Sequence, residues 1–152
     1  MKRFEFKLES LLKYKRHLEQ MARQEMAKAV SQMNECTHQI QTLKENRETS
    51  ALRLDHLVEK GVNSREFNLH HGFLSVLDRM IIEEQDRKIR LEKMMEEKRS
   101  LLKKRTIDKK AMERLRERRA DEYTREIIRQ EQKELDEIAS LKKAREIINV
   151  QI

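Results

Sequence analysis

The stretch LVEKGVNSREFNLHHG, residues 57–72, decides the fold, because it holds both glycines, Gly61 and Gly72, of a chain of 152 residues that contains no proline. A proline inside a helix removes a backbone hydrogen bond and clashes with the preceding turn, and an interior glycine costs about 1 kcal/mol against alanine. With neither residue before Gly61 or after Gly72, continuous helix is permitted on both sides. Gly61 can end a first helix in the left-handed conformation, and Asn63 or Ser64 can cap the next helical segment. Gly72 is expected to interrupt the chain once more. The sequence therefore predicts an all-α fold, a long two-helix antiparallel coiled-coil hairpin, with helix 1 over about 5–59, a hinge over about 60–72 and helix 2 over about 73–148.

Composition supports this class: 41% of residues are charged and 4% aromatic, which leaves apolar surface for a seam between helices but too little for a thick core. A single coiled-coil domain, 1–152, is expected. No run of apolar residues is long enough to cross a membrane, and MKRFEFKLESLL places charges where a secretory signal needs apolar residues, so a cytoplasmic protein is expected. One cysteine, Cys36, cannot form an internal disulfide or supply a cysteine-based metal site.

At heptad spacing, Leu8, Ala22, Ala29, Cys36, Leu43 and Leu57 share one line of helix 1, interrupted by Lys15 and Ser50, and Leu12, Met26, Met33, Ile40 and Leu54 share its companion, interrupted by Arg47. Such a narrow stripe is buried against one partner helix. Helix 2 resumes the pattern with Phe73, Leu74, Leu77, Met80, Ile81, Leu91, Met94, Met95, Leu101, Leu102, Met112 and Leu115, with Glu84, Lys88 and Lys98 between them. A hairpin folded near residue 63 sets the first residues opposite the region of residue 122, so the C-terminal helix overhangs. Its apolar groups (Tyr123, Ile127, Ile128, Leu135, Ile138, Leu141, Ile147 and Ile148) exceed what helix 1 can cover.

Residues 98–119 hold eleven Lys or Arg against three carboxylates, a local charge of +8 where the whole chain carries +7. The plain reading is a solvated helix face; the sharper one is docking to an acidic partner. Nucleic acid is disfavoured, because groove readers usually fork a basic helix from a dimer or interleave aromatic residues for stacking, and this segment has no aromatic residue. His70 and His71 are adjacent and point apart on a helix, so no metal is expected, and Cys36 on the apolar line reads as a small core residue. There is no phosphate loop and no nucleophile with a base, so neither enzymatic activity nor a cofactor is expected.

The segment Phe4-Glu-Phe6-Lys-Leu8-Glu-Ser-Leu11-Leu12-Lys-Tyr-Lys resembles the opening of the flagellar FliJ export family. Met112-Glu-Arg-Leu-Arg-Glu-Arg-Arg-Ala-Asp-Glu-Tyr123, followed by Glu131-Gln-Lys-Glu-Leu135-Asp136-Glu137-Ile138-Ala139, is similar to that family's arginine-rich stretch and its leucine-aspartate closing motif. Phe67-Asn-Leu-His-His-Gly-Phe73-Leu-Ser-Val-Leu77 resembles the segment after its loop. The resemblance implies a non-enzymatic stalk of the flagellar type III export apparatus, at the inner face of the cell membrane. Its implied partners are a hexameric export ATPase, the cytoplasmic linker of the export gate, and export chaperones.

Hairpin arithmetic places the basic cluster beside Lys2, Arg3, Lys7, Lys13, Lys15 and Arg16, and ATPase docking is expected of Lys103, Lys104, Arg105, Lys109, Lys110, Arg114 and Arg116. The positions that match the gate contact are Gln39, Leu43, Asn46, Phe73, Leu77, Met80 and Glu84. Leu43 and Leu77 also fall on the seam, where packing alone explains them, and the family often places aromatic residues where this chain has Asn46 and Ser50. A monomer is expected. The alternatives are a self-associating coiled-coil scaffold, which would be a dimer, and the equivalent rod of a virulence secretion system.

Overall fold

The computed structural model describes residues 4–150, with the side chains of 148–150 outside the description; Lys2, Arg3 and the Ile148 side chain therefore lie outside the described residues. The chain is all-α. Helix α1 spans Glu9–Lys60 and α2 spans Ser64–Val150, with no strand among the described residues.

The turn is shorter than the sequence suggests, three residues in place of a hinge over 60–72. Gly61 takes φ of 87° and donates its N–H to the Val58 carbonyl at 3.1 Å, closing α1 in the left-handed conformation that a side chain disfavours. Asn63 then caps α2: its Oδ1 accepts the Glu66 N–H at 2.9 Å, and its carbonyl accepts the Phe67 N–H at 3.0 Å. With the helix nucleated there, Gly72 lies inside it as an ordinary helical residue. Its penalty of about 1 kcal/mol is too small to break a helix that seam packing holds on both sides. At the other end α1 begins at Glu9, four residues later than expected, after a turn in which Glu9 N–H donates to the Phe6 carbonyl at 3.0 Å.

The chain divides into two compact units, Leu18–Arg105 and Met1–His17 with Thr106–Ile152. In each, α1 and α2 run antiparallel. Within Leu18–Arg105, Glu25 Oε2 meets Lys98 Nζ at 3.4 Å, Gln39 Oε1 accepts from Arg87 Nη1 at 3.2 Å, and Arg47 pairs with Asp78. Within the unit that holds the two chain ends, Phe4 and Tyr123 rings lie 5.7 Å apart, Arg116 Nε is 3.3 Å from Glu9 Oε2, Arg16 Nη2 3.3 Å from Glu113 Oε1, and Lys15 Nζ 3.1 Å from Asp108 Oδ2. As α1 numbers rise, α2 numbers fall. This is the all-α helical hairpin class.

The buried residues of α1 (Leu12, Glu19, Ala22, Ala29, Cys36, Ile40 and Leu54) all fall on the two predicted heptad lines. On α2 the seam is narrower than expected. Leu77, Ile81 and Leu91 are buried, whereas Phe73, Met80, Met94 and Leu101, read from sequence as seam residues, are exposed. The heptad phase that runs through the buried residues is 74, 77, 81, 84, 88, 91, 95, 98, 102, 105, 109, 112, and it puts Glu84, Lys88, Lys98, Arg105 and Lys109 at half-buried seam positions. Complete burial of a leucine is worth about 1.5–3 kcal/mol, while exposed ion pairs are screened and add little. The sparse apolar contacts therefore stabilise the pairing, and the charges orient it.

Candidate functional site

Gln39, Leu43, Met80 and Glu84 line one open groove between the helices of the Leu18–Arg105 unit, together with His38, Thr42 and Glu83. Leu77 is buried, only 5% exposed, so it packs in the seam and offers no contact surface. Phe73, 51% exposed, lines a second open groove nearer the turn, with Ser50, Arg53, Leu69 and His70. Asn46 is exposed and lines neither. Four of the seven residues expected at the gate contact are thus brought together, Phe73 and Asn46 stand apart from them, and Leu77 is covered.

Glu84 does more than line a groove. Its backbone carbonyl lies 3.4 Å and its carboxylate 3.5 Å from the Cys36 Sγ, which is positioned to donate, and Arg87 Nη1 reaches the same carboxylate at 3.3 Å. Burial first, then the Glu84 hydrogen bond and charge, push the Cys36 thiol above its ordinary value, so it stays protonated and weakly nucleophilic. Cys36 packs with Ile40, Leu91 and Met33 as a core residue, as expected from its place on the apolar line.

Glu19 is a seam residue that the apolar pattern alone does not reveal. It is 5% exposed and accepts from Arg23 Nη2 at 2.8 Å and Nε at 3.2 Å. A signal for it exists, since residue 19 falls midway between Leu12 and Met26 on the companion line. A charged group at a buried heptad position typically specifies register at some cost in stability.

The basic residues divide by exposure. Lys103 and Lys104 are exposed, and Arg105 is half-buried on the seam, all three within the Leu18–Arg105 unit. In the other unit Lys110, Arg114 and Arg116 are exposed, and Lys109 is half-buried on the seam. Arg116 pairs with Glu9, and Arg119, further along, with Glu122 at 3.0 Å. Lys103, Lys104, Lys110 and Arg114 carry no ion pair among the described residues, which leaves their charge available to a partner. Of the basic residues expected beside them, Lys7 and Lys13 are exposed, whereas Lys15 and Arg16 are engaged with Asp108 and Glu113.

In the same unit as the chain ends, Phe4, Phe6 and Leu8 line an apolar groove with Leu115 and Tyr123, and Lys7, Arg119, Glu122 and Glu126 also line it. Beyond it, residues 128–147 of α2 are exposed throughout. No helix among the described residues is long and apolar enough to cross a membrane, and no group of three or more His, Cys, Asp or Glu among them could hold a metal ion.

Two proline-free helices paired through a thin seam, with open grooves and unpaired surface charge, define a two-helix coiled-coil protein. The family model described as flagellar FliJ protein matches residues 4–146, and the chain belongs to that family. Among solved structures the chain is similar to one described as a YscO homolog, CT670 of Chlamydia trachomatis, at 19% identity over 91% of this chain and 94% of that chain, with a TM-score of 0.43. No curated protein matches the chain.

Proposed function

We propose that this protein is the non-enzymatic stalk of a flagellar type III export apparatus, docking in a hexameric export ATPase and promoting its assembly or activity. Family membership over residues 4–146 is the observation that carries this reading. The ATPase contact falls to Lys103, Lys104, Lys110 and Arg114, whose exposed cations have no ion partner among the described residues. Arg105 and Lys109 contribute less direct contact from their half-buried seam positions, and Arg116 shares its charge with Glu9. Charge of this kind steers encounter more than it fixes affinity. Raised salt therefore slows association while leaving helix content intact.

The export-gate linker meets the groove of Gln39, Leu43, Met80 and Glu84, with Phe73 and Asn46 as separate contacts, while Leu77 is buried and takes no direct part. Export chaperones are further partners, and the protein works at the inner face of the cell membrane at the flagellar base. The test is ATP hydrolysis by the cognate export ATPase, titrated with this protein and with the Lys103→Glu, Lys104→Glu, Lys110→Glu, Arg114→Glu variant. Stimulation by the native chain that is lost in a fully helical variant supports the docking. Absence of stimulation by the native chain refutes it.

A further inference from the structure

The exposed tail of α2 carries a seam of its own. Ile128, Glu131, Leu135, Ile138, Lys142 and Arg145 recur at alternating spacings of three and four, which places them on one helix face, with Glu134 and Leu141 flanking it. All of them are exposed, Leu135 at 65% and Ile138 at 62%, on a helix that continues to Val150. The order of charge along this face is its most informative property: Glu131 and Glu134 precede the apolar centre, and Lys142 and Arg145 come after it.

That order selects a partner. In a parallel in-register pair each seam residue meets its own copy, so Glu131 faces Glu131, Lys142 faces Lys142 and Arg145 faces Arg145, which like charges oppose. In an antiparallel pair with a two-fold axis between Asp136 and Glu137, Leu135 meets Ile138 in the two central layers, Glu131 meets Lys142 on either side of them, and the Arg145 stem covers Ile128. Of these two arrangements, the antiparallel one makes the face self-complementary. We propose that the tail, residues 128–145, is a self-association surface whose occupant is the same segment of a second copy, bound antiparallel across a two-fold axis. The contact runs about 27 Å along the helix and holds only a few apolar layers, so the dimer is weak and depends on salt. It does not depend on the export reading.

Two measurements on the full chain test it. Sedimentation velocity from about 5 µM to about 300 µM is expected to show a monomer shifting to a dimer, with Kd inside that range. The Glu131→Lys, Glu134→Lys chain is expected to bind itself about tenfold more weakly, and adding Lys142→Glu and Arg145→Glu to that chain to restore the native Kd. In a Cys36→Ala background, an oxidised mixture of Glu131→Cys and Lys142→Cys chains is expected to form the mixed disulfide. Neither chain alone should do so, because like positions stand about 16 Å apart along the antiparallel axis, beyond the roughly 7 Å reach of a disulfide. A monomer at every concentration, with mixed disulfide no faster than in a chain carrying Lys133→Cys on the opposite face, overturns the proposal. Self-disulfides of the separate Glu131→Cys and Lys142→Cys chains overturn it too, since they report a parallel pair.

Discussion

Replacing each glycine by alanine should move stability in opposite directions. Gly72 lies inside α2, and a Cβ built there meets nothing within 4 Å, so Gly72→Ala collects the helix-propensity gain without a clash. That gain is about 1 kcal/mol, equivalent to roughly 2–4 °C in melting temperature for a chain of this size. Gly61 also has open space around its Cβ position, but its φ of +87° is one that L side chains adopt only at a cost of about 1–2 kcal/mol. Gly61→Ala therefore lowers the melting temperature by roughly 2–8 °C although nothing touches the new methyl group. Thermal unfolding monitored by circular dichroism reads both, and hydrogen exchange should place the Gly61→Ala loss in the backbone around Val58–Asn63. A lowered melting temperature for Gly72→Ala would show that α2 is broken at that point after all, as the glycine pattern alone suggests. A raised one for Gly61→Ala would refute the left-handed turn.

The seam yields three further expected outcomes. Glu19→Leu should stabilise the protein by about 1–2 kcal/mol, since a buried carboxylate is replaced by a hydrophobe while Arg23 stays in water; denaturant titration checks this, and a loss of similar size refutes it. The Cys36 thiol should alkylate at least about a hundredfold more slowly in the native protein than after unfolding, with the native rate rising only above the ordinary thiol range, because its pKa is raised; a fast native reaction at neutral pH contradicts the burial. Lys28 first and Lys98 second hold Glu25 below the usual carboxylate range, so its contribution is present above that range and is lost as pH falls through its lowered value. Glu25→Gln should be less stable than the native chain at neutral pH and converge with it in acid, and equal acid profiles would remove that role.

The hairpin was legible because the chain lacks proline and confines its glycines to one stretch, so only one place could turn. The extent of the turn was not, since Gly72 carries the same local signal as Gly61, and what separates them is a cap at Asn63 that starts the helix before Gly72 is reached. The face of α1 could be read in detail, whereas that of α2 could not. Its apolar residues come in adjacent doublets (Phe73 and Leu74, Met80 and Ile81, Met94 and Met95, Leu101 and Leu102), and members of a doublet point about 100° apart, which leaves the phase open. In each doublet the second residue is the less exposed. The same ambiguity hid Arg105 and Lys109 among their exposed basic neighbours, because only the correct phase reveals them as seam residues.

Between residues 22 and 36, α1 presents Ala22, Ala29 and Cys36 to the seam, three small groups at seven-residue intervals. Sliding one helix past the other by a heptad there, a displacement of about 10 Å, brings a nearly equivalent side chain into two of the three vacated places. Shape alone thus sets a poor detent against shear. Besides buried Glu19 and the Cys36 contact with Glu84, the pairs that distinguish one position from the next are Glu25 with Lys98, Gln39 with Arg87 and Arg47 with Asp78, all polar and all within reach of solvent. Ionic strength and acidity consequently act on the alignment of this unit before they act on its helices, and a binding partner that supplies or withdraws charge along these edges has the same leverage.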